Sequence, residues 1–461
     1  MKILSEKGNN RANLDKGAGF AMSQSKEFFS SEKKIYDSVH GFIHFDDCEK
    51  ELIGSFPFQR LHYIRQLGLA YLVYPGATHS RFEHSLGVME LASKIFHNVC
   101  KTARPDVFHL VPRKGSPEYF YWQRILRMAA LCHDLGHLPF SHAAEKELIG
   151  EGGHENWTLQ IIQSDYLAPV WSRIMERSGL HADFPDRNVV QDITKMAIGE
   201  KRWFALKGSS FTCWERVISA IITGDFFGAD RIDYLLRDSK STGVAYGLFD
   251  YQQLIEMIRI LPAVDSEDPD ELALGINENG LESCEALLLA RHFMHRRVYQ
   301  YSSVKAYNFH LRRFMKIVYP PRKWQDVESF LRLNDSEVIS ELHRAALDSK
   351  HPGHEDARRI IHRKDRFRAI SISFDLPEQE LKSIQAKAKI PKGQMEWEIK
   401  RAPISDDALS FPVSRSHLMV EKAKECSELL CKIAASSQSW VYVSSDYEVA
   451  VAEALEKLRT V

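Results

Sequence analysis

The sequence predicts a mainly α protein, with a helical core, a short N-terminal β-hairpin and a smaller C-terminal α+β lobe. Three observations carry this. From Cys48 to about residue 310, apolar side chains recur at three- and four-residue spacing, as in Val88, Leu91, Ala92 and Ile95 and in Leu287, Ala290 and Met294. That is the period of helices with a buried face. Lys34-Ile-Tyr-Asp-Ser-Val-His-Gly-Phe-Ile-His-Phe45 reads as a hairpin turning at His40-Gly41. Beyond about residue 350, the stretches 369–374, 395–400 and 440–444 alternate as strands do, with helices expected at roughly 377–388, 416–434 and 446–459.

Taken in order, residues 1–30 are polar and rich in Gly, Asn, Ser and Lys, the composition of a flexible tail. Residues 31–351 form the expected core, and 352–461 the lobe, with a boundary at His351-Pro-Gly-His-Glu-Asp356. A chain of 461 residues exceeds the ~250–300 that a single core supports, so two units are expected. The formal net charge of −1 gives no global argument for nucleic-acid or membrane binding. No apolar run reaches the ~18 residues of a membrane span, and no signal-peptide core is visible. Seven scattered cysteines without a Cys-x-x-Cys pair predict reduced thiols in a cytoplasmic protein.

Chemistry concentrates in Met128-Ala-Ala-Leu-Cys-His-Asp-Leu-Gly-His-Leu-Pro-Phe-Ser-His142. His133-Asp134 closes an apolar helical run, and His137, four residues after His133, falls on the same face if the helix continues. One His-Asp pair is as easily a core histidine beside a helix-end carboxylate, so the reading depends on further ligands. Thr78-His-Ser-Arg-Phe-Glu-His-Ser-Leu-Gly87 offers His84, and Gly224-Asp-Phe-Phe-Gly-Ala-Asp-Arg-Ile-Asp-Tyr-Leu-Leu-Arg-Asp238 offers Asp230. His84, His133, Asp134 and Asp230 then make two imidazoles and two carboxylates, a set for iron, manganese or zinc with positions left for water. Magnesium is a further candidate beside them. Arg81 is placed to clamp phosphate, or else to make a helix-start salt bridge. His137, His142 and His154 are candidates for proton transfer or phosphate binding, with Glu145 orienting His142.

The longer motifs narrow this. Gln59-Arg-Leu-His-Tyr-Ile-Arg-Gln-Leu-Gly68, Tyr74-Pro-Gly-Ala-Thr-His-Ser-Arg-Phe-Glu-His-Ser-Leu-Gly87, Cys132-His-Asp-Leu-Gly-His-Leu-Pro-Phe-Ser-His142 and Asp230-Arg-Ile-Asp-Tyr234 resemble one branch of the HD superfamily of phosphohydrolases. That branch is the deoxynucleoside triphosphate triphosphohydrolases named for a SAM domain joined to an HD domain, and the resemblance covers roughly residues 34–310. It implies an HD-domain core, here expected without the SAM domain, and an enzyme hydrolysing dNTPs to deoxynucleoside and tripolyphosphate. Water on the metal would attack the α-phosphorus, with His142 or His154 assisting proton transfer. It also implies that Gln66 and Leu67 meet the sugar, and that Arg231, Tyr234 and Asp238 meet phosphate, base or ribose, and the 3′-hydroxyl. Arg291, His295 and Tyr299, four apart on one helix face, would line the nucleotide pocket. The chain departs from relatives at Arg231, where they carry lysine, and at Tyr301-Ser302, where some carry His-Lys. Gly54 and His62 stand where guanine-activated relatives read the base with Asp and Arg.

The resemblance further implies a homo-oligomer (dimer or tetramer) and an activating nucleotide acting allosterically. The basic run Arg358, Arg359, Arg363, Lys364, Arg366 and Arg368 is either a solvated helix face or a contact for such a nucleotide. Two other readings remain. One is an HD phosphohydrolase of monophosphates or signalling nucleotides. The other is a non-catalytic nucleotide- or single-strand-binding protein, for which that basic run is the motive.

Overall fold

The computed structural model describes residues 33–459 except 150–151, 225, 265, 267, 269, 321–325, 373–375, 400–410, 416–418 and 433–438. The tail expected over residues 1–30 lies outside the described residues. The architecture is the mainly α one predicted, with the hairpin in front and small sheets behind.

Strands β1 (Lys33–Asp37) and β2 (Gly41–Phe45) pair antiparallel, Lys33 opposite Phe45, with Gly41 at φ 75° in the turn. Asp37 fixes the tip by accepting from the amides of Val39 and His40, both at 2.9 Å. The central helix is Arg81–Lys101, opened by a capping arrangement in which Glu83 accepts from the Ser80 amide (3.2 Å) and hydroxyl (3.0 Å). Its Leu86, Val88, Met89, Leu91, Ala92 and Ile95 are all buried, so it is enclosed on most sides. Pro117–Cys132 and Ala229–Thr242 pack along it. Ser116 caps the first by accepting from the Tyr119 amide, with Pro117 in the first turn, where its missing N–H costs nothing. These three helices carry His84, His133-Asp134 and Asp230 to one place.

Two differences from the expected elements have clear causes. The core contains a hairpin read as helical from sequence: β3 (Ile258–Pro262) pairs antiparallel with β4 (Leu272–Asn277). The short apolar runs of these segments suit either period. The helix expected over 416–434 is absent in that form. Its described part is strand β8 (Val420–Lys422) and two short helices, Ala423–Cys426 and Glu428–Lys432, because β7 (Pro412–Ser414) pairs parallel with β4 and antiparallel with β8. The sheet order is β3-β4-β7-β8, and Phe411 and Val413 are buried with the main core. A second sheet, β5 (Arg368–Ile372), β9 (Ser439–Val443) and β6 (Met395–Glu398), has β9 in its middle and is covered by Glu378–Lys387 and Glu448–Arg459. It meets the core where Tyr442 stacks on Phe309, centroids 4.5 Å apart, and the Trp440 indole donates to Gln300 at 3.0 Å. No described helix is long and apolar enough to cross a membrane.

Candidate metal centre

His84 is fully buried on the central helix and faces the Asp230 carboxylate at 3.0 Å and Asp134 at 3.5 Å through Nε2. His133 Nε2 lies 3.4 Å from Asp134 and 3.8 Å from Asp230. The four residues taken from separate motifs therefore share one point. Each imidazole has its other nitrogen committed: His84 Nδ1 to Asp233 at 2.7 Å and His133 Nδ1 to the Ala130 carbonyl at 2.7 Å. Both Nε2 atoms are buried without a hydrogen-bond partner. Backed imidazoles presenting a bare Nε2 to one point are how metal-binding histidines are held.

Charge leads to the same conclusion. Asp233 accepts from His40 Nε2 (2.6 Å) and from Arg237 (2.8 and 3.0 Å), and Arg237 also reaches Asp37 at 2.8 Å. Arg81 is buried against Asp134. Burial works against the charge on Asp37, Asp134, Asp230 and Asp233, but the neighbouring guanidiniums and imidazoles hold all four carboxyls below the ordinary range. Four carboxylates against two guanidiniums leave two negative charges for a buried site to neutralise. With protons as the only counter-charge, burial disfavours the cation of His84, yet Asp230, Asp233 and Asp134 push its pKa up to about 10. A divalent ion at Nε2 replaces that proton and supplies the missing charge. The donor set fits a divalent metal ion, which His84, His133, Asp134 and Asp230 would hold.

The sequence placed His133 and His137 on one helix, and the structure corrects this. The helix ends at Cys132, and residues 133–136 are a turn. Gly136 explains the tight turn: a Cβ there would lie 2.0 Å from the His154 carbonyl and 2.4 Å from the Thr158 amide. Thr158 ties the pieces, accepting from the Gly136 amide (3.0 Å) and donating to the His133 carbonyl (3.1 Å). Phe140 and Ser141 follow in left-handed backbone at φ 58° and 56°, a costly pair for non-glycine residues. Ser141 holds it by accepting from Arg81 Nε at 2.8 Å and donating to the Arg65 carbonyl at 2.7 Å.

Beyond that turn lies a second cluster. His137 Nε2 sits 3.1 Å from Asp134, and its ring stacks on His154, centroids 3.7 Å apart. Glu145 bridges His142 Nδ1 (2.5 Å) and His154 Nδ1 (2.7 Å). Burial, Arg81 and His154 together keep the His137 pKa well below the usual imidazole value, so that ring is neutral. Burial opposes charge on His154, but Glu145 raises its pKa; burial likewise opposes charge on Glu145, which the two imidazoles lower. His142 is the outer member, its side chain 65 % exposed. His154 lies in the first turn of a helix, Gly153–Ile162.

On the other flank, Asp238 is buried, facing His79 Nε2 at 2.7 Å and accepting from the Tyr299 hydroxyl at 2.7 Å. Tyr234 and His295 approach Tyr299 edge-on, at 6.1 and 5.0 Å between centroids. Arg291 lies in the last turn of the helix Leu281–Met294, and His295–Tyr299 is a π-helical turn, so the even four-residue spacing expected for Arg291, His295 and Tyr299 is locally stretched. Arg231 has a buried Nε without a partner, as has the Gln66 side-chain oxygen; Leu67 packs on the core. Sequence reasoning missed His40, His79, Asp233 and Arg237. Asp233 and Arg237 repeat along the Asp230 helix, and His79 sits within the His84 motif, but their roles depend on contacts across the fold. The basic run splits: Arg358 and Arg359 lie on the helix His354–Ile361, whereas Arg363 donates to the Tyr307 hydroxyl (3.0 Å) and the Leu72 carbonyl (2.8 Å).

Residues 81–176 match the model of the HD domain and residues 249–408 that of the HD associated region. An uncharacterized protein of Methanocaldococcus jannaschii is 33 % identical over 310 residues, 67 % of this chain and 55 % of that protein. A deoxynucleoside triphosphate triphosphohydrolase SAMHD1 homolog of Dictyostelium discoideum is 30 % identical over 343 residues, 72 % of this chain and 58 % of that protein. The chain thus spans little more than half the length of these curated relatives. The crystal structure of a hypothetical protein from Aquifex aeolicus superposes with a TM-score of 0.71 at 30 % identity, covering 92 % of this chain and 100 % of that one. Asp230 lies between the two matched segments and is joined to the centre by geometry alone. With both segments in order and a relative covered over its whole length, this chain belongs to the HD-domain family, in the group whose HD domain is followed by an HD-associated region, and is homologous to the SAMHD1-type triphosphohydrolases.

Proposed function

We propose that this protein is a metal-dependent phosphohydrolase that cleaves deoxynucleoside triphosphates to deoxynucleoside and tripolyphosphate. The observation that carries the proposal is the meeting of His84, His133, Asp134 and Asp230 with two bare Nε2 atoms, beside the His137–His142–Glu145–His154 cluster. A divalent ion in this set would supply positive charge for phosphate oxygens and would lower the pKa of water from ~16 toward ~7. Asp134 would help hold the ion and orient the attacking water. Arg81, already turned on Asp134, is within reach of a phosphate that displaces that contact. His142, exposed at the rim and backed by Glu145, is placed to pass a proton to the departing 5′-oxygen, with His154 behind it.

Substrate discrimination is assigned to the far flank. Asp238, fixed by His79 and Tyr299, is the acceptor for a 3′-hydroxyl, and Tyr299 with Gln66 and Leu67 closes the space beside the sugar. Arg231, Tyr234, Arg291 and His295 complete the nucleotide wall. A homo-oligomer and activation by a second nucleotide, implied by the sequence resemblance, belong to the same reading. Product chromatography with each dNTP, singly and mixed, tests it. Deoxynucleoside plus tripolyphosphate is the expected outcome; inorganic phosphate or pyrophosphate as the product would replace this function with that of another HD phosphohydrolase.

A further inference from the structure

We propose that His137, His142, Glu145 and His154 form a second divalent-cation site, suited to zinc, sharing a wall with the first through the Asp134–His137 contact. One ligand atom from each lies within 4.8 Å of all the others. Three imidazoles and one carboxylate are a zinc set, and a tetrahedral ion with bonds of ~2.0–2.2 Å spaces its ligands roughly 3.3–3.6 Å apart. Closing the cluster by that amount is open to His142, whose side chain is mostly in solvent and has Glu145 as its hydrogen-bond partner.

An independent observation points to the ion. His137 is only 1 % exposed, and its Nδ1 has no hydrogen-bond partner, while its Nε2 faces Asp134 at 3.1 Å. The rings of His154 and His142 flank it, at 3.7 and 4.8 Å between centroids. A buried ring nitrogen left bare is costly, and coordination removes that cost. Glu145 is preset as the fourth ligand: its Oε1 accepts from the His154 amide at 2.7 Å, which fixes the carboxylate between the two outer imidazoles. Occupation requires the Nδ1 protons that His142 and His154 now donate to Glu145 to pass to solvent or to Nε2, which frees both nitrogens and the Glu145 carboxylate to face the cation. In the hydrolytic reading above, on which this clause rests, those imidazoles then lose proton transfer, and excess zinc slows turnover.

Equilibrium dialysis against zinc with elemental analysis reads the site without any substrate. The wild type binds two zinc ions per chain; Asp230→Ala binds one, Glu145→Gln one, and the double variant none. Cobalt(II) loaded into Asp230→Ala gives the visible absorption of a tetrahedral centre, and His142→Ala, at an exposed position that leaves folding intact, abolishes it. A single zinc in the wild type, or retention of the cobalt band in His142→Ala, overturns the assignment. Two bound zinc ions in a protein that hydrolyses no dNTP would leave this site standing and remove only the proposed function.

Discussion

Gly87 lies mid-helix, where replacement by alanine ordinarily stabilises by ~1 kcal/mol. Here the opposite is expected. A Cβ at residue 87 would lie 2.0 Å from Asp233 Oδ1, 2.6 Å from Arg237 Nη2 and 2.8 Å from Asp233 Cγ. Those atoms are not free to retreat: Asp233 is fully buried and holds His40, His84 and Arg237 together. Overpacking of this kind costs about 1–3 kcal/mol, which cancels or exceeds the propensity gain. Displacing the carboxylate behind a ligating imidazole costs roughly tenfold to a hundredfold in metal affinity, equivalent to about 1.4–2.7 kcal/mol. Gly87→Ala is therefore expected to be no more stable than wild type and to bind metal at least tenfold more weakly. Chelator competition with a zinc or manganese indicator measures the affinity, and a urea midpoint the stability. A variant that is about 1 kcal/mol more stable with unchanged affinity would refute the role given to Asp233.

Asp134→Ala removes a proposed metal ligand and the partner of Arg81 together; hydrolysis should fall by at least a thousandfold, measured as tripolyphosphate release, with circular dichroism unchanged in shape. Arg60→Ala strips the carbonyls of Leu333 (2.9 Å), His137 (3.0 Å) and Leu135 (3.4 Å) of one buried donor, and should cost about 3 kcal/mol in the urea midpoint. Burial opposes the Asp46 anion, yet Arg124 and the Glu49 amide hold its pKa below the ordinary value. Its contribution to stability is present above the unfolded pKa of ~3.9 and is lost as pH falls through the depressed folded value. Asp46→Asn should flatten the wild-type fall of Tm with acid in that range, and an unchanged slope would show that the Asp46–Arg124 pair carries none of it. Dialysis against a chelator should abolish hydrolysis and lower Tm, with both restored by a divalent metal.

The residues that converge, His84, His133, Asp134 and Asp230, were legible because each sits in a long local motif whose residue types suit one chemistry. The three carrier helices were legible too, through apolar spacing such as that of Val88, Leu91, Ala92 and Ile95. What the sequence hid depends on distance along the chain. His40 reads as a turn residue until the hairpin is folded against Asp233, and His79 as a polar loop residue until Asp238 is beside it. The pairing of β4 with β7 joins Ile276 to Val413, and no local period announces a three-residue strand. The same pairing broke up the helix expected over 416–434. The end of the helix was legible at His133-Asp134, one residue past Cys132, but the reason for the turn was not: it is required by the approach of His154 and Thr158 to Gly136, which only the folded chain shows.

The ribbon of β1 and β2 has a bearing on how the protein is handled. Its tip delivers Asp37 to Arg237 and His40 to Asp233, so a shortened fragment begun after Phe45 would keep every ligand and still lose the outer brace of His84. Such a fragment would purify with metal that leaks away on dialysis, and adding back a synthetic peptide spanning residues 33–46 should slow the leak.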